Sequence, residues 1–434
     1  MQKINAKRWL SGILAAILLL AVFPLGTFAE EGDLTITTKE ELLQFAQSVS
    51  GGESYTGKTV VLAANLSLAG EDFAGIGSSA APFKGTFDGQ NHIVSDLSSS
   101  VGFFADVNGG TVKNLIVRGM VNGASNIAGV VGKLTAGAVQ NCGNEASVSG
   151  GANVGGVVGS VNGDCTVSGC YNSGAVSGTT GYIGGVTGQH WRAGTVENCY
   201  NIGTVSGPAT VGGITGGHKA SSPVLRNCYS AGTVVDTAGN QNNIGAVIGA
   251  TRGTNENCYF LSGCGTNDKT GITEVSSLSA AQLGDAFKAD EDGINGGLPV
   301  FAWQIKQPDL IITTYEALKS FAEAVSGGES YEGKLVRLGA NITLGGESSP
   351  WTPIGTASAP FKGTFDGGYH VIEGMEIASG SAVGFFGAVN GGTVKNLIVA
   401  GKVNGASDVG GVVGKLTAAT VQNCGNEATV SGGA

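Results

Sequence analysis

Val154-Gly-Gly-Val-Val-Gly159 is followed by Ile183-Gly-Gly-Val-Thr-Gly188, Val211-Gly-Gly-Ile-Thr-Gly216 and Ile244-Gly-Ala-Val-Ile-Gly249, and preceded by Ile127-Ala-Gly-Val-Val-Gly132. A phrase that returns about every thirty residues marks a solenoid, in which each unit leans only on its neighbours. Between two such phrases, Val154–Gly159, Thr166–Tyr171 and Ala175–Ser177 are short β-prone pieces separated by Gly, Asn, Asp and Ser. Strands this short make no useful hairpin meander, but they can form three sides of a coil, each pairing in parallel with the next coil. The predicted fold is an all-β parallel β-helix. A single coil buries too few aliphatic side chains to offset the entropy of ordering it, so the array is stable only collectively.

The repetition also runs on a larger scale. Thr37 to Ala152 returns as Thr313 to Ala434, offset by 276 residues at Thr37/Thr313, 278 at Phe83/Phe361 and 282 from Gly102/Gly384 onward. Two tandem β-helices are expected, over residues 30–304 and 310–434, joined by a linker at 305–309. The second is incomplete, since it stops where the first goes on through four more coils. About eight coils are expected in the first copy, a rod of roughly 40 Å at ~4.8 Å per rung.

Each copy opens with a helical pattern. Leu42, Phe45, Ala46 and Val49, repeated as Leu318, Phe321, Ala322 and Val325, fall on one face at i, i+3, i+4 and i+7. Thr37/Glu40, Thr38/Glu41 and Thr313/Glu316 have capping-box spacing, and glycine pairs at 51–52 and 327–328 stop the helix. An amphipathic helix here is a cap that keeps the first coil from offering unpaired edges. A second short helix from Ser279 and the apolar run Asn295–Trp303 read as a plug for the far end of the first rod.

Glycine is 76 of 434 residues, and it follows the repeat, so the glycines mark corners. Only 13% of residues are charged against 41% hydrophobic, which excludes disorder. Lys3, Lys7 and Arg8, the apolar run Leu10–Leu25 and Thr27-Phe28-Ala29 have the order of a secretory signal over residues 1–29, so the mature chain is expected to start at Glu30. No other spanning segment follows. The net charge of −10 excludes attraction to nucleic acid or anionic lipid by the overall field.

Three columns recur once per coil. Cys142, Cys170, Cys199, Cys228 and Cys258 are spaced by 28, 29, 29 and 30 residues, and read as stacked free thiols packing as small hydrophobes; Cys165 and Cys264 lie off the column, and Cys424 is the second-copy partner of Cys142. Asn114, Asn141, Asn198, Asn227 and Asn257, with Gly169 in the one departing coil, read as an asparagine ladder at a left-handed bend. Tyr171, Tyr200, Tyr229 and Tyr259 form an aromatic column that either shields that bend or stacks a ligand. His190-Trp191-Arg192 interrupts one corner and is the best candidate for a protruding contact.

The repeats resemble the GLUG-motif family, named for a Gly-Leu-any-Gly core. The core stands here as Gly156-Val-Val-Gly159, Gly185-Val-Thr-Gly188, Gly213-Ile-Thr-Gly216 and Gly411-Val-Val-Gly414, with Val or Ile for Leu. Gly102-Phe-Phe, Gly194-Thr-Val-Glu-Asn-Cys-Tyr200 and Lys84-Gly-Thr-Phe-Asp-Gly89 strengthen the likeness. It implies a right-handed parallel β-helix on the exterior of a bacterial cell, in proteins of which some are adhesin-like and some carry immunoglobulin-cleaving metallopeptidases. No zinc-peptidase pairing of histidines with a glutamate stands in this chain, and no cofactor or metal motif is read. Asp88/His92 and Asp366/His370 are the recurring ionisable pairs a carbohydrate-cleaving enzyme would use. Asp290-Glu-Asp292 lacks calcium-loop spacing. The expected function is a non-catalytic, adhesin-like binding module or spacer, with a surface glycan or extracellular protein as partner. The alternatives are a polysaccharide lyase or hydrolase, and a stalk for a domain beyond residue 434.

Overall fold

The computed structural model describes residues 34–239, 243–266, 269–345 and 350–433. The expected secretory signal and Glu30 lie outside them. The described chain is a parallel β-solenoid of about 14 turns with few helices, the all-β class the repeat implies. It divides into two compact units at Ile305/Lys306. Asp309, placed in the expected linker, is already tied to the second unit: its N–H donates to the Leu335 carbonyl at 2.7 Å, and its carboxylate accepts from the Leu335 N–H at 2.6 Å.

Pairing in the first unit is parallel and in register coil upon coil. Val112 pairs with Val139, Val139 with Val167, Val167 with Val196 and Val196 with Leu225, and all are fully buried. A second sheet stacks Phe104, Val131, Val158, Thr187, Thr215 and Ile248. The coils are more broken than three sides. The phrase Val154–Gly159 is split between Ser147–Gly155 and Val158–Val161, and Thr166–Tyr171 between Cys165–Ser168 and Tyr171–Asn172.

Two glycines of the repeated phrase have distinct steric causes. A Cβ at Gly156 would lie 2.3 Å from the Asn172 side-chain oxygen, and one at Gly159 would lie 2.5 Å from the Ile127 nitrogen in the coil before. The first makes room for a buried amide and for the Gly185 carbonyl of the next coil, 2.1 Å from that Cβ, and the second for the backbone of the coil before.

The first helix runs Lys39–Ser50 from its N-cap Thr38, with the Thr38/Glu41 capping box formed. Its Phe45 meets Phe83 and Phe87 at ring separations of 5.8 and 6.0 Å, so the helix closes the interior of the first coil. The equivalent helix, Tyr315–Ser326, is capped by Thr314 and not by Thr313, and the third helical position is Ala317, so no box forms. Phe321 packs on Phe361 and Phe365 as Phe45 does on its partners.

The run Asn295–Trp303 does not plug the far end. The last coil edge is met by Cys264, Thr266 and the strand Ile272–Val275: Val234 and Ala246 donate to the carbonyls of Cys264 and Thr266, and Ile272–Val275 pairs with Cys258–Leu261. The run instead turns back along the side of the rod, where its Trp303 and Phe301 lie against Tyr171 and Tyr200, and Phe287, upstream of it, lies against Tyr229. Its apolar side chains find an aromatic column rather than an open end.

Candidate functional site

The cysteine column lies inside the coils. No disulfide joins any of the eight cysteines, and Cys142, Cys165, Cys170, Cys199, Cys228 and Cys258 are buried. The column thiols donate to carbonyls, Cys142 to Gln140 and Cys170 to Ser168 at 3.2 Å, and Cys228 and Cys258 bond likewise. Burial pushes the thiols of Cys142, Cys199 and Cys228 well up, and Cys165 up to about 11. Buried thiols of this kind are inert packing groups rather than nucleophiles.

Asn114, Asn141, Asn198, Asn227 and Asn257 all have φ between 50° and 54°, and Gly169 has φ 63°. Amide donates to amide from Asn141 to Asn114 (3.2 Å), Asn227 to Asn198 (3.3 Å) and Asn257 to Asn227 (2.9 Å), with Gly169 as the gap. Asp88 heads this ladder by accepting from the Asn114 amide at 2.9 Å, and it pairs with Lys113 at 3.1 Å. Burial works to raise its carboxyl, but the Asn114 amide, the Gln90 N–H and Lys113 outweigh it and hold it below the usual range. His92 turns to Asn65 instead, and in the second unit Asp366 holds Asn396 and Arg337 while His370 turns to Asn341. The recurring Asp and His therefore end in structural contacts. Asp290 accepts from the backbone N–H groups of Ile294, Asn295 and Gly297, folding its own turn. Among the described residues, no three His, Cys, Asp or Glu side chains converge as metal ligands.

A second amide ladder was missed from the sequence. Asn144, Asn172 and Asn201 are fully buried, linked by 2.7 Å bonds from each Nδ2 to the next Oδ1, and each amide also donates to the carbonyl two residues on. Its signal was present as the residue after Gly143, Tyr171 and Tyr200.

The tyrosine column is not an open binding stripe. Tyr171, Tyr200 and Tyr229 are buried, and their rings stack at 5.4 and 5.0 Å. The Tyr171 hydroxyl donates to Glu145 (2.6 Å), Gln304 donates to the Tyr200 hydroxyl (2.6 Å), and the Tyr229 hydroxyl donates to the Pro299 carbonyl. Tyr259 is half-buried, and its hydroxyl donates to Asn257. A Cβ at Gly143 would lie 2.3 Å from the Tyr171 ring, so glycine heads the column because that ring covers it. The expected ligand contacts at Tyr171, Tyr200 and Tyr229 are corrected to internal packing.

His190 also belongs inside. Strand Thr187–His190 runs past the expected corner, and His190 takes the interior column place of Leu134 and Val161. It packs edge-on against His218, at a ring separation of 5.5 Å. Burial lowers the two imidazoles to about 3 and about 4 from an ordinary 6.5. Of the expected contact triplet, only Trp191 and Arg192 are exposed. Lys219, one rung on, sets its ammonium 4.2 Å from the Trp191 ring centroid and 5.1 Å from that of Tyr182. This cluster is the exposed aromatic and cationic site of the first unit.

No protein-family model matches the sequence, and neither does any curated relative. Among solved structures, the chain is similar to a Bacteroides ovatus protein that carries the provisional name of immunoglobulin A1 protease. The TM-score is 0.52 at 22% identity, over 65% of this chain and 95% of that one. An alginate lyase of the PL6 family aligns with a TM-score of 0.17 at 10% identity over 91% of this chain and 78% of that one, too slight a likeness to bear on fold or chemistry. What the first likeness shows is the fold alone.

Proposed function

We propose that this chain is an exported, non-catalytic repeat protein of a bacterial cell surface, of the GLUG-motif kind, acting as a binding module or spacer. One observation carries the reading. The recurring side chains capable of chemistry, namely the Asp88/His92 and Asp366/His370 pairs and the cysteine column, are taken up in contacts that hold the coils together. Trp191, Arg192 and Lys219 are left facing solvent on a rigid support. Such a surface suits recognition, because a stiff scaffold presents side chains without the cost of ordering its backbone. The secretory order of residues 1–29 supports export. A glycan array and a pull-down from extracellular material, both in chelator, test the reading: metal-independent binding without cleavage is expected. Release of reducing ends or unsaturated sugars from acidic polysaccharides would replace it with the carbohydrate-cleaving alternative.

A further inference from the structure

At one place in the first unit the rules of the repeat are broken on both faces of the same strands. Inside, Thr187 and Thr215 continue the column of Val131 and Val158, and His190 and His218 continue that of Leu134 and Val161. Both hydroxyls and all four ring nitrogens are buried without a hydrogen-bond partner among the described residues. Polar groups in that state are costly, and natural sequences depart from their own packing pattern chiefly at functional positions. Outside, the next residues are Trp191 and Lys219, on neighbouring rungs whose N–H groups donate to Val161 and His190 at 2.8 and 2.9 Å. Tyr182 stands where the coil before carries Asn153 and the coil after Thr210, and its ring lies against Gly217, where a Cβ would come within 3.0 Å of it.

The result is a small platform of two aromatic rings with an ammonium held between them by cation–π attraction. Arg192 adjoins it. Neither Lys219 nor Arg192 forms an ion pair among the described residues, unlike Lys113, Lys133, Arg118 and Arg226 of the same unit. Against a chain of net charge −10, two unneutralised cations beside the exposed Trp191 ring and the half-buried Tyr182 ring select for an anionic partner with an apolar face. Tyr182 and Trp191 stand on one coil and Lys219 on the next, a rung spacing of ~4.8 Å, so the platform is on the scale of a single sugar ring. A protein interface needs about 800 Å² per partner. The other exposed large apolar side chains of the unit, Met120, Val235 and Ile294, stand on other strands and loops.

We propose that Tyr182, Trp191, Arg192 and Lys219 form a binding site for a carboxylated sugar, whose carbon face packs on Trp191 and whose carboxylate meets Lys219 and Arg192. The inference rests on the binding-module reading and names its ligand class. Uronates and sialic acids share this chemistry, and the test separates them.

The full chain is titrated calorimetrically with oligogalacturonate, 3′-sialyllactose and neutral maltotriose. The expected result is binding of one or both acidic sugars at least about tenfold tighter than maltotriose, which corresponds to about 1.4 kcal/mol. Trp191→Ala is expected to weaken acidic-sugar binding by about tenfold or more, and Lys219→Gln to abolish the acidic preference, both with unchanged circular dichroism and denaturation midpoint. Equal affinity for acidic and neutral sugars overturns the proposal. So does acidic-sugar binding that neither variant alters, although the binding-module reading then stands with its site elsewhere. No binding to any of the three sugars overturns it as well, and an acidic polypeptide binding in their place, lost in Trp191→Ala, would assign the platform to a protein partner.

Discussion

The two core histidines make the first unit acid-sensitive by a calculable amount. His190 and His218 are held neutral, at about 3 and about 4 against an ordinary 6.5. Below pH 6.5 the unfolded chain takes up protons that the folded chain refuses. The stability due to the neutral pair is therefore complete above pH 6.5, falls as the pH drops, and stops falling once the folded pair itself protonates, between about 4 and about 3. From pH 7 to pH 5 the loss is about 2 kcal/mol per histidine, or about 4 kcal/mol for both, a large part of the 5–15 kcal/mol typical of a domain. His190→Leu with His218→Leu restores the aliphatic column of Leu134 and Val161 and removes the titration. Urea denaturation at pH 7 and pH 5, followed by circular dichroism, is the assay. The wild type should lose several kcal/mol more than the double variant between the two pH values, and the variant should be at least as stable at pH 7. An equal loss in both proteins would refute the reasoning, as would a wild type indifferent to this change of pH.

Two further outcomes follow from the amide and thiol columns. Asn198→Leu places a branched side chain at φ 51° and removes a 3.3 Å amide bond. It should cost about 1–3 kcal/mol, and Asn172→Leu, which breaks a fully buried ladder and crowds Gly156, should cost more; an unchanged urea midpoint in either would count against the ladder concerned. In native protein only Cys264 and Cys424, the half-exposed pair, should react readily with a thiol reagent, whereas unfolding without reductant should release all eight; two or fewer reactive thiols would sink the stacked-column account.

The features legible in the sequence were those that repeat or act over a few residues. The phrase from Val154 to Gly159 returns at one period, which suffices to announce stacked coils. The first helix was readable from Leu42, Phe45 and Val49 and from a cap three residues long. The asparagine bends were readable because Val196 and Cys199 can both face inward only across a break in alternation, and Asn198 supplies it. What escaped depends on partners far apart in the chain or on a register shift. Nothing local tells that Trp303 meets Tyr171, so an apolar run was placed at an end when its partners lay along a side. His190 was placed on a corner because the strand Thr187–His190 runs further than its polar composition suggests. Asn172 was passed over because its reason is a glycine in another part of the coil, Gly156, whose missing Cβ makes room for the amide.

The segment that covers the tyrosines runs against the direction in which the coils accumulate. As the chain advances from Phe287 through Phe301 to Trp303, its contacts retreat from Tyr229 through Tyr200 to Tyr171. Coil-to-coil bonds join residues about 27 to 33 apart, as Asn141 to Asn114 and Cys258 to Leu225 do, whereas Trp303 reaches back 134 residues to the Gly169 carbonyl. Coils can therefore assemble one after another during synthesis, which proceeds from the N-terminus, while this latch can close only after three of them stand in correct alignment. A slip of one rung would leave Trp303 over Gly143, Phe301 over Tyr171 and the Tyr229 hydroxyl without the Pro299 carbonyl. The last segment of the unit to be made thus inspects the alignment of those made before it, and an array of near-identical neighbours acquires one place where a miscount is detected.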